Sequence, residues 1–212
     1  LIGFMMEAAE PVLWAFFFGV IAVSVLQIGA ARPPRYLAAY GALGVLAGLL
    51  FLSLPSVDMS GSMVALFIAG MVAVSAWILP GISGSFVLLL LGLYDDVILA
   101  VNQLDWTFLL VLAGGCGSGL LLFTRALGWL LMRFAEALLA FLTGFMATAL
   151  IKLWPWQIVA SQSAPDAYGV FHTLQSPQQY AAAGNEAYLG LSLMAALLGG
   201  AGIWLLSKLS PQ

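Results

Sequence analysis

Long apolar runs separated by short polar breaks dominate the chain. A helix needs about 20 apolar residues to cross the hydrocarbon core of a bilayer. Residues 12–31 supply one such run, through Trp14, Phe16, Phe17, Phe18 and Gly19. It stops at Arg32-Pro33-Pro34-Arg35, a basic turn through which no helix continues. Residues 36–54 form a second run, with Gly44 and Gly48 at the spacing that lets two helix backbones approach closely. A polar loop containing Asp58 follows, then an apolar stretch over 62–79 that ends at Pro80-Gly81-Ile82-Ser83-Gly84-Ser85. Apolar residues resume from Phe86 to Tyr94 and stop at Asp95-Asp96. Further spans are predicted at 107–124, 137–153 and 188–206. Between the first two of these, Arg125 to Ala135 reads as a short amphipathic helix at the membrane interface, carrying Arg125, Trp129 and Arg133. Trp154 and Trp156 mark the headgroup level. Residues 155–187, with Pro155, Pro165 and Pro177, read as a loop with room for short helices.

Composition turns this pattern into a class. Of 212 residues, 63% are hydrophobic and 7% charged, against about 45–50% and 25% in a soluble domain. The chain is therefore expected to be an all-α, polytopic membrane helix bundle, a single integral membrane domain over residues 1–212. Six Lys and Arg are too few and too scattered for a nucleic-acid footprint. A single Cys116 excludes an intrachain disulfide, and a single His172 excludes His-rich metal sites. Cys116 reads as a small packing residue and His172 as an exposed loop residue. The chain begins at Leu1 without a basic, cleavable leader, so no signal peptide is expected. No nucleophile–base pair or His/Arg/acid cluster is visible, so neither an enzyme nor a cofactor is expected.

The segment 62–94 is predicted to be re-entrant. If Phe86 onward crossed the whole bilayer, Asp95 and Asp96 would sit about ten residues in, roughly 15 Å deep. Each would cost roughly 2.5–3.5 kcal/mol there. Two half-helices meeting at Pro80–Ser85 place them at the headgroups instead. The break then has Pro80 to end the incoming helix, Gly81 and Gly84 for unusual backbone, and Ser83 and Ser85 as hydroxyls or caps. Unpaired amides at a helix start, including that of Phe86, suit an anion. Arg125 and Arg133 are candidates to receive a phosphate at the cytoplasmic face. Asp95 and Asp96 are candidates for proton coupling. The positive-inside rule puts Arg32, Arg35, Arg125, Arg133 and Lys208 in the cytoplasm, with Asp58, Lys152 and the 155–187 loop outside.

The run Ile78-Leu79-Pro80-Gly81-Ile82-Ser83-Gly84-Ser85, with its trailing Leu91-Gly92-Leu93-Tyr94-Asp95, resembles the second signature of the bacterial polyprenyl-phosphate (undecaprenyl-phosphate) translocases. Phe16–Gly19, Arg125 after Leu121-Leu122-Phe123, Ala140–Gly144 and Lys152–Trp156 agree with that family in order. The resemblance covers most of residues 12–160. It implies a multi-pass protein of the bacterial plasma membrane that returns undecaprenyl phosphate from the outer to the inner leaflet, with the lipid as its partner. The family's earlier Pro-Gly-Val-Ser-Gly-Gly-type signature is absent from this chain. The chain thus resembles the C-terminal half of an inverted-repeat transporter, the other half coming from preceding sequence or from a second copy. The residues alone leave a second reading open: an ion-coupled secondary transporter of a small soluble anion using the same broken helix.

Overall fold

The computed structural model describes residues 10–55, 57, 59, 61–81, 83–159 and 172–209. Asp58, Ile82 and residues 160–171 lie outside them. Among the described residues four helices are long and apolar enough to cross a membrane: α1 (Glu10–Ala30), α2 (Pro34–Leu52), α6 (Trp106–Lys152) and α8 (Leu189–Leu209). Between α2 and α6 come three shorter helices, α3 (Met63–Ile78), α4 (Gly84–Leu90) and α5 (Tyr94–Gln103). Large apolar side chains face outward on the long helices, among them Leu26 at 70% exposure and Leu197 at 73%. In water that surface would be costly, whereas bilayer hydrocarbon solvates it.

The chain divides into two compact units. One unit comprises Leu1–Gly48, Leu139–Ser161 and Val170–Gln212. In it α1 and α8 pack along their length through small residues. A methyl group at Gly19 would fall on the backbone of Ala196, and one at Gly199 on the carbonyl of Phe16. Gln27 Nε2 donates to Ser207 Oγ at 3.0 Å. Gly200 also faces the carbonyl of Gly19, and the Gln27–Ser207 bond lies two turns further on along both helices, so α1 and α8 run parallel. The same device joins α2 to the last part of α6. Gly44 abuts the carbonyl of Phe141, Gly144 that of Gly41, and Gly48 the side chain of Thr148, again in parallel. The predicted close approach at Gly44 and Gly48 is thus present. Within α2, Leu37–Gly41 form a π-helical stretch directly after the Pro33-Pro34 turn.

The region after α6 is more ordered than a loop. Gln157–Val159 (β1) pairs antiparallel with His172–Leu174 (β2), placing His172 opposite Val159. β-branched Ile158, Val159 and Thr173 favour that local ladder, a pattern too short to stand out from its polar surroundings. Helix α7 (Pro177–Ala182) opens on a reciprocal capping box between Ser176 and Gln179, with proline in its first turn. The end of α6 is closed by one side chain: Gln157 Nε2 donates to the carbonyls of Lys152 at 2.9 Å and Trp154 at 2.6 Å. Replacing Gln157 by Leu strands those carbonyls. At about 0.5–1.5 kcal/mol per lost hydrogen bond, and about 2–4 °C per kcal/mol, a melt of the purified protein should come down by several degrees.

The described residues of the second unit lie within Leu49–Leu138. Helix α3 starts at Ser62, whose Oγ accepts from the amide of Ala65 at 3.4 Å. Leu66, Ala69 and Leu93 form one buried cluster, and Ala73, Ala76 and Val87 a second. The first part of α6 lies along α3: Gly115 meets Phe67, Gly70 meets Leu112 and Gly119 meets Met71. From Phe67–Gly115 to Met71–Gly119 the contact advances four residues on each helix, so the two are parallel. Residues 79–105 therefore bring the chain back to the end at which α3 began. Asp105 then starts α6, its Oδ1 accepting from the amides of Thr107 and Phe108 at 3.0 and 3.1 Å.

Two expectations about helix limits are corrected. The short interfacial helix over 125–135 does not exist as a separate element. Residues 106–152 are two helices that meet at a kink, where Phe134 has non-helical angles (φ −137°, ψ 37°), and the first of them runs unbroken through 125–133. The stretch 125–133 is rich in Leu, Ala, Met and Arg and contains no proline, so the first helix continues through it as far as Phe134. Likewise, no half-helix runs from Phe86 to Tyr94. Helix α4 ends at Leu90, Gly92 turns the chain at φ +67°, and α5 leaves at 106° to α4. A left-handed turn at this position is what Gly92 supplies.

Candidate functional site

The predicted break is real, and its limits are sharper than expected. Helix α3 ends at Ile78 and α4 begins at Gly84. Gly81 sits at φ +95°, a conformation that other residues strongly disfavour. Gly84 and Ser85, expected to be non-helical, form the first turn of α4. Ser83 occupies the capping position in extended conformation without a side-chain capping bond. Its Oγ lies 2.6 Å from Ser85 Oγ instead. One hydroxyl donates to the other, and one O–H of the pair remains to donate outward. Other serines in these helices are spent internally: Ser75 Oγ donates to Met71 O at 2.7 Å and Ser118 Oγ to Gly114 O at 2.8 Å. Pro80, Gly81, Ser83 and Ser85 are all exposed, whereas Gly84 is buried.

Gly84 has a different task from the one its motif suggests. A methyl group there would lie 2.6 Å from the carbonyl of Ala73 and 3.2 Å from the Trp77 ring. Glycine is needed so that α4 can fold back onto α3. Phe86 is half-buried, its ring 6.0 Å from that of Phe51 in an edge-on arrangement, so its side chain supports the hairpin. The helix-dipole contribution to anion binding is modest, because α4 has only seven residues over which peptide dipoles can align. The hydroxyl pair and the glycine-shaped turn are the features that remain.

The charged candidates are not gathered at the break. Asp95 and Asp96 stand in the first turn of α5, where carboxylates stabilise a helix start. Neighbouring Leu93 packs on Leu66 and Ala69, whereas Gly84 packs on Ala73 and Trp77. About two turns of α3, roughly 11 Å, separate those levels. Arg125 is better placed. Six residues beyond Gly119, it reaches the level of the end of α3, but about 120° round the helix from Gly119. It is exposed. Arg133 lies roughly 12 Å further along α6, with its guanidinium 5.9 Å from the ring centroid of Phe134. Sequence reasoning missed Trp77, which is 75% exposed beside the break. An aromatic three residues before a helix-ending proline was the available signal.

The profile of the undecaprenyl phosphate translocase-like family matches residues 1–168. The chain belongs to that family. A polyprenyl-phosphate transporter of Vibrio cholerae is 38% identical over 161 residues, 74% of this chain and 52% of that protein. A polyprenyl-phosphate transporter of Staphylococcus aureus is 33% identical over 95 residues, 42% of this chain and 34% of that protein. The chain thus spans about half the length of the first relative and a third of the second. No solved structure matches it. For this family member, the stretch covered by the profile includes the break, the paired serines and Arg125.

Proposed function

We propose that this translocase-family chain takes part in moving undecaprenyl phosphate from the outer to the inner leaflet of a bacterial plasma membrane, without covalent chemistry. The observation that carries the reading is the Ser83–Ser85 hydroxyl pair, exposed at a glycine-shaped break in a hairpin that returns to its starting side. In this reading the hairpin is re-entrant, and its turn meets the phosphate below the membrane surface. A phosphate in low dielectric needs several donors. The serine pair supplies hydroxyls that reorient between a loaded and an empty site. Arg125, at the same level, balances charge from the flank. The relatives' names support the substrate class. A soluble-anion transporter remains the second reading only on the generic form of the break.

The test is transport of a fluorescent polyprenyl phosphate in proteoliposomes made with the full-length protein that contains this segment. Losing one charge-assisted hydrogen bond costs about 1.5–3 kcal/mol. Ser85→Ala should therefore weaken lipid-phosphate binding roughly tenfold to hundredfold while the protein remains folded. Unchanged affinity and transport would move the phosphate away from the break.

A further inference from the structure

We infer that the first unit holds a separate docking pocket for a phosphate-headed isoprenoid lipid, built where α1 turns into α2. A cavity of about 620 Å³ lies there, walled by α1, α2 and the last part of α6. That volume is in the range of about 300–1,000 Å³ typical of small-molecule sites. Its wall is apolar, with Val25, Val45 and Ala147 among its residues, and Thr143 spends its hydroxyl on the carbonyl of Leu139 at 2.7 Å. Arg32 is the one charged residue of the lining, and it stands at the end of α1.

Three features make this arrangement suit an amphiphile with an anionic head. The rim includes Leu26, 70% exposed on an outward helix face, so a hydrocarbon tail reaches the cavity from the bilayer without crossing water. Arg32 lies beyond the last turn of α1, where a spanning helix meets the headgroups. A guanidinium there matches a phosphate in charge and in paired donors. The wall between these two ends carries the π-helical stretch Leu37–Gly41, whose first and last residues both line the cavity. A widened helix is costly and recurs at functional sites. No carboxylate is among the residues that line the space.

This inference rests on the polyprenyl phosphate reading, and it adds a second contact point on unit one, distinct from the serine break. Among phosphate lipids it commits to the isoprenoid, because a single tail fits one cavity, whereas a phospholipid brings two. The probe is farnesyl phosphate carrying a diazirine on its tail, photolysed with the full-length protein in nanodiscs and mapped by peptide mass spectrometry. Adducts should concentrate on 25–45 and 139–147. Arg32→Gln should reduce them at least tenfold, and Arg32→Lys should restore a substantial part. Ala147→Phe, which narrows the cavity, should reduce them. If that variant fails to fold, the Arg32 pair decides alone. Ser85→Ala should leave these adducts intact, even where it stops transport. Adducts that ignore Arg32→Gln, that form equally with the neutral farnesol probe, or that a tenfold excess of phosphatidylglycerol removes would overturn the pocket and leave the serine-break reading standing. Arg32-dependent adducts in a protein that transports no polyprenyl phosphate would uphold the pocket and refute the transport reading.

Discussion

Gly84→Val is expected to abolish transport by the full-length protein and lower its thermal stability together, whereas Ser85→Ala is expected to weaken lipid binding alone. The reason is steric. Any β-carbon at Gly84 is driven towards the carbonyl of Ala73, 2.6 Å away, and that backbone belongs to α3 and cannot swing aside. Overpacking typically costs about 1–3 kcal/mol, and a rigid backbone neighbour puts this case at the upper end or above. Separating α4 from α3 also opens the cluster of Ala73, Ala76 and Val87. The serine pair at the top of α4 then loses its position. Measured side by side, the melting temperature should fall for Gly84→Val and stay near wild type for Ser85→Ala. A Gly84→Val protein with wild-type melting and wild-type transport would mean that the hairpin is not packed as described.

A comparably large effect is expected at Gly44. Valine there would press on the carbonyl of Phe141 and the amide of Phe145, and one helix turn later Gly48 is equally closed by Thr148. In a membrane, helices associate through close packing rather than through hydrophobic burial. A wedge between backbones therefore removes the main attraction at this crossing. A loss of about 3 kcal/mol corresponds to roughly 6–12 °C in melting temperature for a protein of this size. Gly128→Val is the matching control, because nothing lies within 4 Å of a methyl group at that position. Equal melting temperatures for the Gly44 and Gly128 variants would dissolve the crossing.

The helices were legible wherever a long apolar run met a strong stop. Arg32-Pro33-Pro34 and Pro80-Gly81 ended their helices as expected, because proline and glycine act through local backbone sterics. The limits between 86 and 135 were less legible. Asp95-Asp96 looks like a terminator in a hydropathy scan, yet carboxylates at a helix start are favourable and the pair opens α5. Gly92, inside an apolar run, was the true stop. Arg125 and Arg133 suggested a separate short helix, yet the helix from Trp106 runs through both and is interrupted only at Phe134, directly after Arg133. For the site, the motif located the break and the two serines. It did not reveal that Gly84 serves the α3 contact, since only the fold shows which neighbour a missing side chain accommodates. The pocket at Arg32 was invisible for the same reason: its walls come from stretches separated by about a hundred residues.

The brevity of α3 has a consequence for biosynthesis. Its 16 residues extend about 24 Å, short of the roughly 30 Å that a bilayer core demands. As it leaves the ribosome, α3 alone is a weak candidate for release into lipid. Leu88, Leu91 and Leu93, which pack against it, arrive only with the following stretch. Insertion of this part of the chain is therefore expected to be a joint event, in which α3 enters the bilayer together with the stretch that packs against it.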